Sequence, residues 1–502
     1  MERNYEEIYK KLRLDGFFSE YLPPCFKLEG AMFIMLPPLN CDLIQPCSFT
    51  MSRFNANDSR RTIYIPEICA YAVLNEYVKQ NKIIEELTEF IDTNEVTFSK
   101  IIMDDSSIRK HEQIYGSVTH QGEKIKSQYI DNVVKKLIIS AGAKKILKLD
   151  IANCFSSFYT HYIPAIIMGF DEAENNYKKS KKREDTDEKY KKYCKLDKII
   201  RKLNKNQTNG LLVGPIISKI IVEGLLTRID KELENSGIKY TRYVDDYEVY
   251  LFEDNEDCIK NIFVEVLKKY GLSLNYEKME IIDFPYYLVD NFDRMIELYN
   301  NREVDNYDLI KLFNDFFEIE RSGTKGAIRY LIKSLESSPI NVKNNELFDS
   351  YILTIMSNDP RSLTKACSLL IENNMAHGID DNYINQIKHM LLENSRKNYD
   401  LEVIWLLYLL IEIDNINKDE DVITAILESN NELAQLMILR KNLTDSTEKI
   451  KQNAKSWILN YELFASDIIS INEFCDRLVI NKNKNVYEKL KVENMHFCYR
   501  DI

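Results

Sequence analysis

Three aspartates in the first 250 residues have the types and spacing that could do chemistry. Asp245 and Asp246 stand side by side in Tyr243-Val-Asp-Asp246, inside a segment, Lys239–Phe252, that alternates as a β-hairpin with the pair at its tip. Asp150 closes the strand-like run Lys-Ile-Leu-Lys-Leu-Asp-Ile over Lys145–Ile151. Carboxylates brought together from adjacent strands suit Mg2+, a hard cation that takes oxygen ligands and few carboxylates. Phosphoryl transfer to a hydroxyl needs two such ions about 4 Å apart and little covalent help from the protein. An Asp-Asp pair alone is more often an ordinary turn, so the case rests on the surrounding residues.

Residues 1–290 mix short β-rich runs, such as Arg61–Pro66, with Pro and Gly turns and a few helices. Four stretches there follow one another across about 130 residues: Asp150-Ile-Ala-Asn-Cys-Phe155, Gln207-Thr-Asn-Gly-Leu-Leu-Val-Gly-Pro-Ile-Ile-Ser218, Tyr243-Val-Asp-Asp246 and Gly271-Leu-Ser-Leu-Asn-Tyr-Glu-Lys278. In order and spacing they resemble the palm motifs of reverse transcriptases, and Arg53 with Asn57–Pro66 resembles the fingers hairpin of that family. The resemblance implies an α+β fold, fingers and palm with an antiparallel palm sheet and helices. It implies that Asp150, Ile151, Asp245 and Asp246 hold two Mg2+ ions, for which Mn2+ can substitute. Arg61 and Arg53 would bind the triphosphate of a dNTP, and Lys278 would assist pyrophosphate departure. Backbone N–H groups of Ile151 through Phe155 would face the triphosphate.

Three details within the resemblance narrow the substrate. Phe155 occupies the position where the family sets an aromatic against the sugar, which crowds a 2′-hydroxyl and favours deoxynucleotides. Val213 stands where many templating members carry a Gln at the nascent base pair, while Gly214 still permits close backbone approach. Finally, Phe158–Pro164, Leu196-Asp197, Gln207–Gly210 and Gly323–Ile328 look like bacterial abortive-infection reverse transcriptases of the AbiK kind. That group implies phage defence, synthesis without a template, and single-stranded DNA left covalently attached to a protein hydroxyl. Tyr5, Tyr9 and Tyr21, which follow no core pattern, are the candidate priming phenols among 31 tyrosines.

From residue 291 to 502 the character changes to apolar residues at three- and four-residue spacing. The segments are Tyr307–Arg321, Ala327–Leu335, Leu347–Ser357, Arg361–Asn373, Ile384–Asn394 and Leu401–Ile413. They predict an all-α domain, either a solenoid-like repeat array or an irregular bundle. Charge cuts across the polymerase reading, because a chain of 502 residues with net charge −12 lacks the basic balance of a duplex-gripping protein. Residues 178–205 are the exception, with 13 Lys or Arg against 5 Asp or Glu, either a solvated face or the wall of a nucleic-acid path. Ten singly spaced cysteines and six unclustered histidines argue against a zinc site and fit a reducing cytoplasm. No apolar run approaches the ~20 residues of a membrane span. His161 beside Tyr and Pro reads as a structural hydrogen-bonder. The leading expectation is an untemplated, protein-primed DNA polymerase, expected to be a homo-oligomer, whose helical half mediates self-association or shapes a channel for the growing single strand. A templated RNA-dependent DNA polymerase working on a cognate RNA is the second reading, and a catalytically dispensable scaffold is the third.

Overall fold

The computed structural model describes residues 2–29, 42–52, 59–109, 118–120, 123–125, 129–286, 292–300, 302–324, 326–413, 416 and 419–499. Arg53 lies outside them. The chain starts with α1 (Tyr5–Leu14) and a fingers hairpin, β1 (Cys47–Ser52) and β2 (Arg60–Ile65), paired antiparallel with Met51 opposite Arg61. Helices α2 (Ile68–Gln80) and α3 (Ile83–Asp92), a short hairpin of β3 (Val118–His120) and β4 (Glu123–Ile125), and α4 (Tyr129–Ile139) lead to the palm.

The palm begins at β5 (Lys145–Asp150) and continues through α5 (Cys154–Ser157), α6 (Ile163–Met168), α7 (Phe170–Lys181), α8 (Glu188–Leu203) and α9 (Ile216–Glu234). It closes with β6 (Tyr240–Tyr243), β7 (Asp246–Leu251), α10 (Glu256–Lys269) and β8 (Glu280–Asp283). The strands form one antiparallel sheet in the order β6-β7-β5-β8. Ile146, Leu147, Leu149, Tyr247 and Val249 are buried on it. Helix α9 is apolar nearly all round, as a helix packed on several sides must be, and it touches α3, α6 and α10. Because the side-chain period of a strand is two, the buried faces fix the register, and a one-residue slip would turn every aspartate away. The register found sets Asp150 directly opposite Asp246.

Beyond the palm come α11 (Phe292–Glu297), β9 (Glu303–Val304), α12 (Asn306–Arg321), α13 (Ala327–Ser337), β10 (Asn341–Val342), α14 (Asn345–Asn358) and α15 (Leu363–His377). Then follow α16 (Asp381–Arg396), α17 (Asp400–Glu412), α18 (Glu420–Glu428), α19 (Glu432–Arg440), α20 (Thr447–Asn453), α21 (Trp457–Ala465), α22 (Ile471–Leu478) and α23 (Lys484–Val492). Side chains of Asp305, Asn344, Asp380, Asp419, Asn431, Ser456 and Ser470 cap the N-termini of seven of these helices. Antiparallel neighbours such as α14 and α15 or α16 and α17 pair, and helices two apart stack: α14, α16 and α18 in one row and α13, α15, α17, α19 and α21 in the other. Contacts between helices two apart are of the kind a stacked-pair array makes.

The array also packs back on the fingers. Helix α17, buried nearly all round, lies on β1. Arg60 forms an ion pair with Glu402 (2.5 Å), and its guanidinium covers the Tyr399 ring at 4.1 Å. Trp405 Nε1 donates to the Tyr21 carbonyl (2.7 Å), and the Tyr487 hydroxyl donates to Glu67 (2.5 Å). Buried apolar residues of both halves form one continuous core. Among the described residues no helix is long and apolar enough to cross a membrane.

Candidate active site

The β6–β7 connection is a two-residue turn, Val244-Asp245, and Val244 is held at φ 52°. A β-branched residue pays for that left-handed conformation, so something outside the turn must hold it. The restraint is a buried polar cluster. Ser99 Oγ accepts the Val244 N–H (2.9 Å) and donates to Glu223 (3.0 Å). Arg242 donates to the Val244 carbonyl (2.9 Å), to both oxygens of Glu223 (3.1 and 2.9 Å) and to Asp230 (2.8 Å). Thr97 and Asn94 complete it with bonds to Glu223 (2.7 Å) and Asp230 (2.6 Å). Burial pushes the Asp230 carboxyl up, against the pull of Arg242.

Asp245 occupies the turn itself, and Asp246 is the first residue of β7 rather than part of the tip. The Ile151 N–H donates to the Asp245 carbonyl (3.2 Å), tying the turn to the end of β5. Asp150 is buried, accepting from Lys278 Nζ (2.7 Å) and Asn275 Nδ2 (3.0 Å), and its carbonyl accepts the Asn275 N–H (2.7 Å). Burial and the Asp150 charge both raise the Asp245 carboxyl, while Lys278 and Arg61 pull it down. Asp246 is pushed up to about 7 by desolvation, then by Asp245 and Asp150, although its side chain opens to water, which screens part of the effect. A cavity of about 350 Å³ opens beside Asp150 and Asp246, walled also by Lys148, Tyr243 and Lys278. A larger one of about 800 Å³ sits by Asp92 and Lys239 at the far end of β6, away from the carboxylates.

As placed, among the described residues no three His, Cys, Asp or Glu side chains stand ready around a single ion. The donor set is nevertheless all oxygen, and its mutual repulsion is of the kind that a hard dication relieves. It fits such an ion once Lys278 leaves Asp150.

Of the other expected residues, Phe155 is half-buried, and its carbonyl accepts the Leu211 N–H (2.9 Å), joining the first and second motifs. Val213 is half-buried and its carbonyl accepts the Tyr64 N–H (2.7 Å), so the second motif is bonded to fingers strand β2. Gly214 lies beneath that strand at φ 141°, where a Cβ would stand 2.3 Å from the Tyr64 carbonyl. Arg61 is exposed on β2, facing Asp245 closely enough to act on its charge.

Two expectations are corrected. The N–H groups of Ile151 and Ala152 are taken by the Asp245 and Ser273 carbonyls, which leaves any triphosphate contact of this loop to Asn153, Cys154 and Phe155. The three candidate tyrosines do belong to a core pattern. Tyr9 is buried with its phenol donating to the Val78 carbonyl (3.3 Å) and to Glu85, and Tyr5 and Tyr21 pack partly buried against the same core. The Arg242 cluster and Asn275 were not foreseen. One signal was present: Glu223 and Asp230 lie next to apolar runs of α9, where a buried charge is kept only if paired.

No curated protein matches the chain. Solved structures that do match include telomerase from Candida albicans with the TWJ fragment of telomeric RNA (13% identity, TM-score 0.31, covering 76% of this chain and 67% of that one). Apo telomerase from Candida tropicalis matches at 11% identity and TM-score 0.34, covering 80% and 69%, and its complex with the TWJ fragment at 12% and 0.29, covering 74% and 65%. The family profile described as Reverse transcriptase (RNA-dependent DNA polymerase) matches residues 59–331, from β2 into α13. That span is more than half of the sequence and takes in the fingers strand, all four palm motifs and the paired aspartates: the chain belongs to the reverse transcriptase family, and it is a nucleotidyltransferase-like enzyme of that fold.

Proposed function

We propose that this chain synthesises DNA by metal-assisted phosphoryl transfer, without a template and from a protein hydroxyl, in defence against phage. The observation that carries the catalytic part is the register pairing Asp150 with Asp246 beside the strained Asp245 turn. When bound by Asp150, Asp245, Asp246 and the Ile151 backbone, two Mg2+ ions would activate the attacking hydroxyl and neutralise charge on the phosphates. Arg61, with Arg53, orients the triphosphate. Phe155 excludes ribonucleotides, and Lys278, released from Asp150, moves to the departing pyrophosphate. Val213 in place of a base-pair Gln, and the −12 charge, support untemplated synthesis. The defence role and the covalent product rest on the abortive-infection resemblance. Tyr5, half-buried near the chain start, and Tyr21 suit a priming role better than the buried Tyr9. The family description favours a second reading, in which the enzyme copies a cognate RNA.

The test is incubation of pure protein with dNTPs and Mg2+ and no added nucleic acid. A slow-migrating protein–DNA adduct, absent in Asp245→Asn, is expected. Synthesis that starts only on addition of template and primer would establish the second reading instead.

A further inference from the structure

The run 178–205 carries a net +8 on a chain whose total is −12. It forms the α7–α8 hairpin, and along α8 Lys191, Lys195, Lys198 and Lys202, with Lys205 just past the end, succeed one another at four- and three-residue steps. That spacing is a single helix face, roughly 20 Å long, opposite the face that buries Tyr193, Leu196, Ile200 and Leu203. Like charges four apart destabilise a helix, so such a row persists where something anionic lies along it. Lys191 finds Asp185 and Glu188, and Lys195 lies over the Tyr77 ring at 5.1 Å. Among the described residues no carboxylate pairs with Lys198, Lys202 or Lys205.

The row ends where the chain returns to the first palm motif. Past Lys205 the chain enters Gln207–Gly210, which is zipped to the segment after the first motif: the Thr160 N–H donates to the Thr208 carbonyl (2.9 Å) and the Gly210 N–H to the Phe158 carbonyl (2.8 Å). On that segment Tyr159, 37% exposed, meets the His161 ring edge-on at 4.9 Å. Asp197 of α8 holds the His161 Nδ1 at 2.9 Å. Two aromatic rings thus lie between α8 and the segment that follows Phe155.

We propose that the α8 lysine row, Tyr159 and His161 form a track for one nucleic-acid strand, the lysines on its phosphates and the rings against its bases. Single strands are held by a basic groove with aromatic platforms, whereas an acidic protein face would have no use for the rings. The inference rests on the polymerase reading and adds where the strand runs.

The test is fluorescence anisotropy of the full chain with a labelled oligothymidylate, over a salt series. Lys198→Gln/Lys202→Gln/Lys205→Gln removes three phosphate contacts, so the log–log salt slope is expected to flatten by roughly 2, at about 0.7 per contact on a single strand. The wild-type advantage then shrinks roughly fifteenfold between about 50 and about 200 mM salt. Tyr159→Ala is expected to weaken binding with the slope unchanged. Parallel salt lines for wild type and the triple variant would overturn the proposal. So would a triple variant that falls to a smaller oligomer by light scattering while binding the oligonucleotide normally, since the row would then dock on a second copy. Asp245→Asn separates the two readings: it is expected to keep full binding while losing synthesis, and if wild type itself makes no DNA, the polymerase reading fails while the binding result stands.

Discussion

Replacing Arg242 with Met gives the sharpest test of how the aspartate turn is held. Arg242 and Asp230 have fully buried side chains and Glu223 is nearly so, and the guanidinium is bonded to both carboxylates. Removing it leaves two carboxylates facing each other out of water, an imbalance that costs about 3–5 kcal/mol. Against a total stability of roughly 5–15 kcal/mol, that is a large share. It also takes the donor from the Val244 carbonyl, so opening of the turn should become easier first. Hydrogen exchange over 240–251 reads this directly, without assuming that so long a chain unfolds in one step. The arginine holds the Asp230 carboxyl down against burial, so in Arg242→Met its affinity for protons in the folded state rises further above the unfolded value. Native protein then binds more protons than unfolded protein, and stability falls as pH rises above the ordinary Asp range. The deficit of Arg242→Met should therefore narrow as the solution is acidified. The triple variant with Glu223→Gln and Asp230→Asn, which removes the stranded charge, should regain most of the loss. Wild-type exchange in Arg242→Met, or a triple variant no better than the single one, would refute the account.

Three further outcomes are expected. Gly214→Ala drives a Cβ into the Tyr64 carbonyl and displaces β2, costing about 1–3 kcal/mol as overpacking does and raising KM for dNTP more than it lowers kcat, in steady-state assays. Phe155→Ala opens the space beside the sugar, and the preference for dNTP over NTP in kcat/KM should fall roughly tenfold or more. Asp246, raised to about 7, binds a proton in the native state that the unfolded chain has lost, so the thermal midpoint of metal-free protein should decline as pH rises from the ordinary Asp range through about 7. Asp246→Asn or millimolar Mg2+ should flatten that decline, and a midpoint insensitive to both would remove the like-charge explanation.

What could be read from sequence and what could not divide along physical lines. Alternation over Lys145–Ile151 and Lys239–Phe252 placed the palm strands within a residue or two, because one face of each had to be buried. The helical segments between Tyr307 and Ile413 are placed nearly as well by their apolar spacing, while the six helices from α18 to α23 are not singled out. Stacking was not readable, since no strict period repeats and the choice between array and bundle lies in contacts between helices. The Arg242 cluster was missed for a related reason. Its members come from three separate segments, Asn94–Ser99, α9 and β6, and the placing of Glu223 and Asp230 beside apolar runs does not say which cation pairs with them. Backbone donors gave the clearest miss: nothing in Asp-Ile-Ala announces that the Ile151 and Ala152 N–H groups are already bonded.

The fingers strand shows why the helical half bears on the chemistry. Successive residues of a strand face opposite sides. On β2, Arg60 turns to Glu402 and Tyr399 of the array, and its neighbour Arg61 turns toward Asp245. Three residues on, the Tyr64 N–H is bonded to Val213, with Gly214 packed against the Tyr64 carbonyl. One six-residue strand is therefore gripped from behind by α17 and from below by the second palm motif, and the position of Arg61 is set by both. An array that only joined copies of the chain would have no need of a buried ion pair to the residue beside Arg61. The side-chain burial of Glu402, 6% exposed, makes that contact a rigid one: withdrawing Arg60 would strand a carboxylate, so the array and the fingers hold their relation as a unit. The helical half thus belongs to the geometry of the aspartate site, whatever else it contacts.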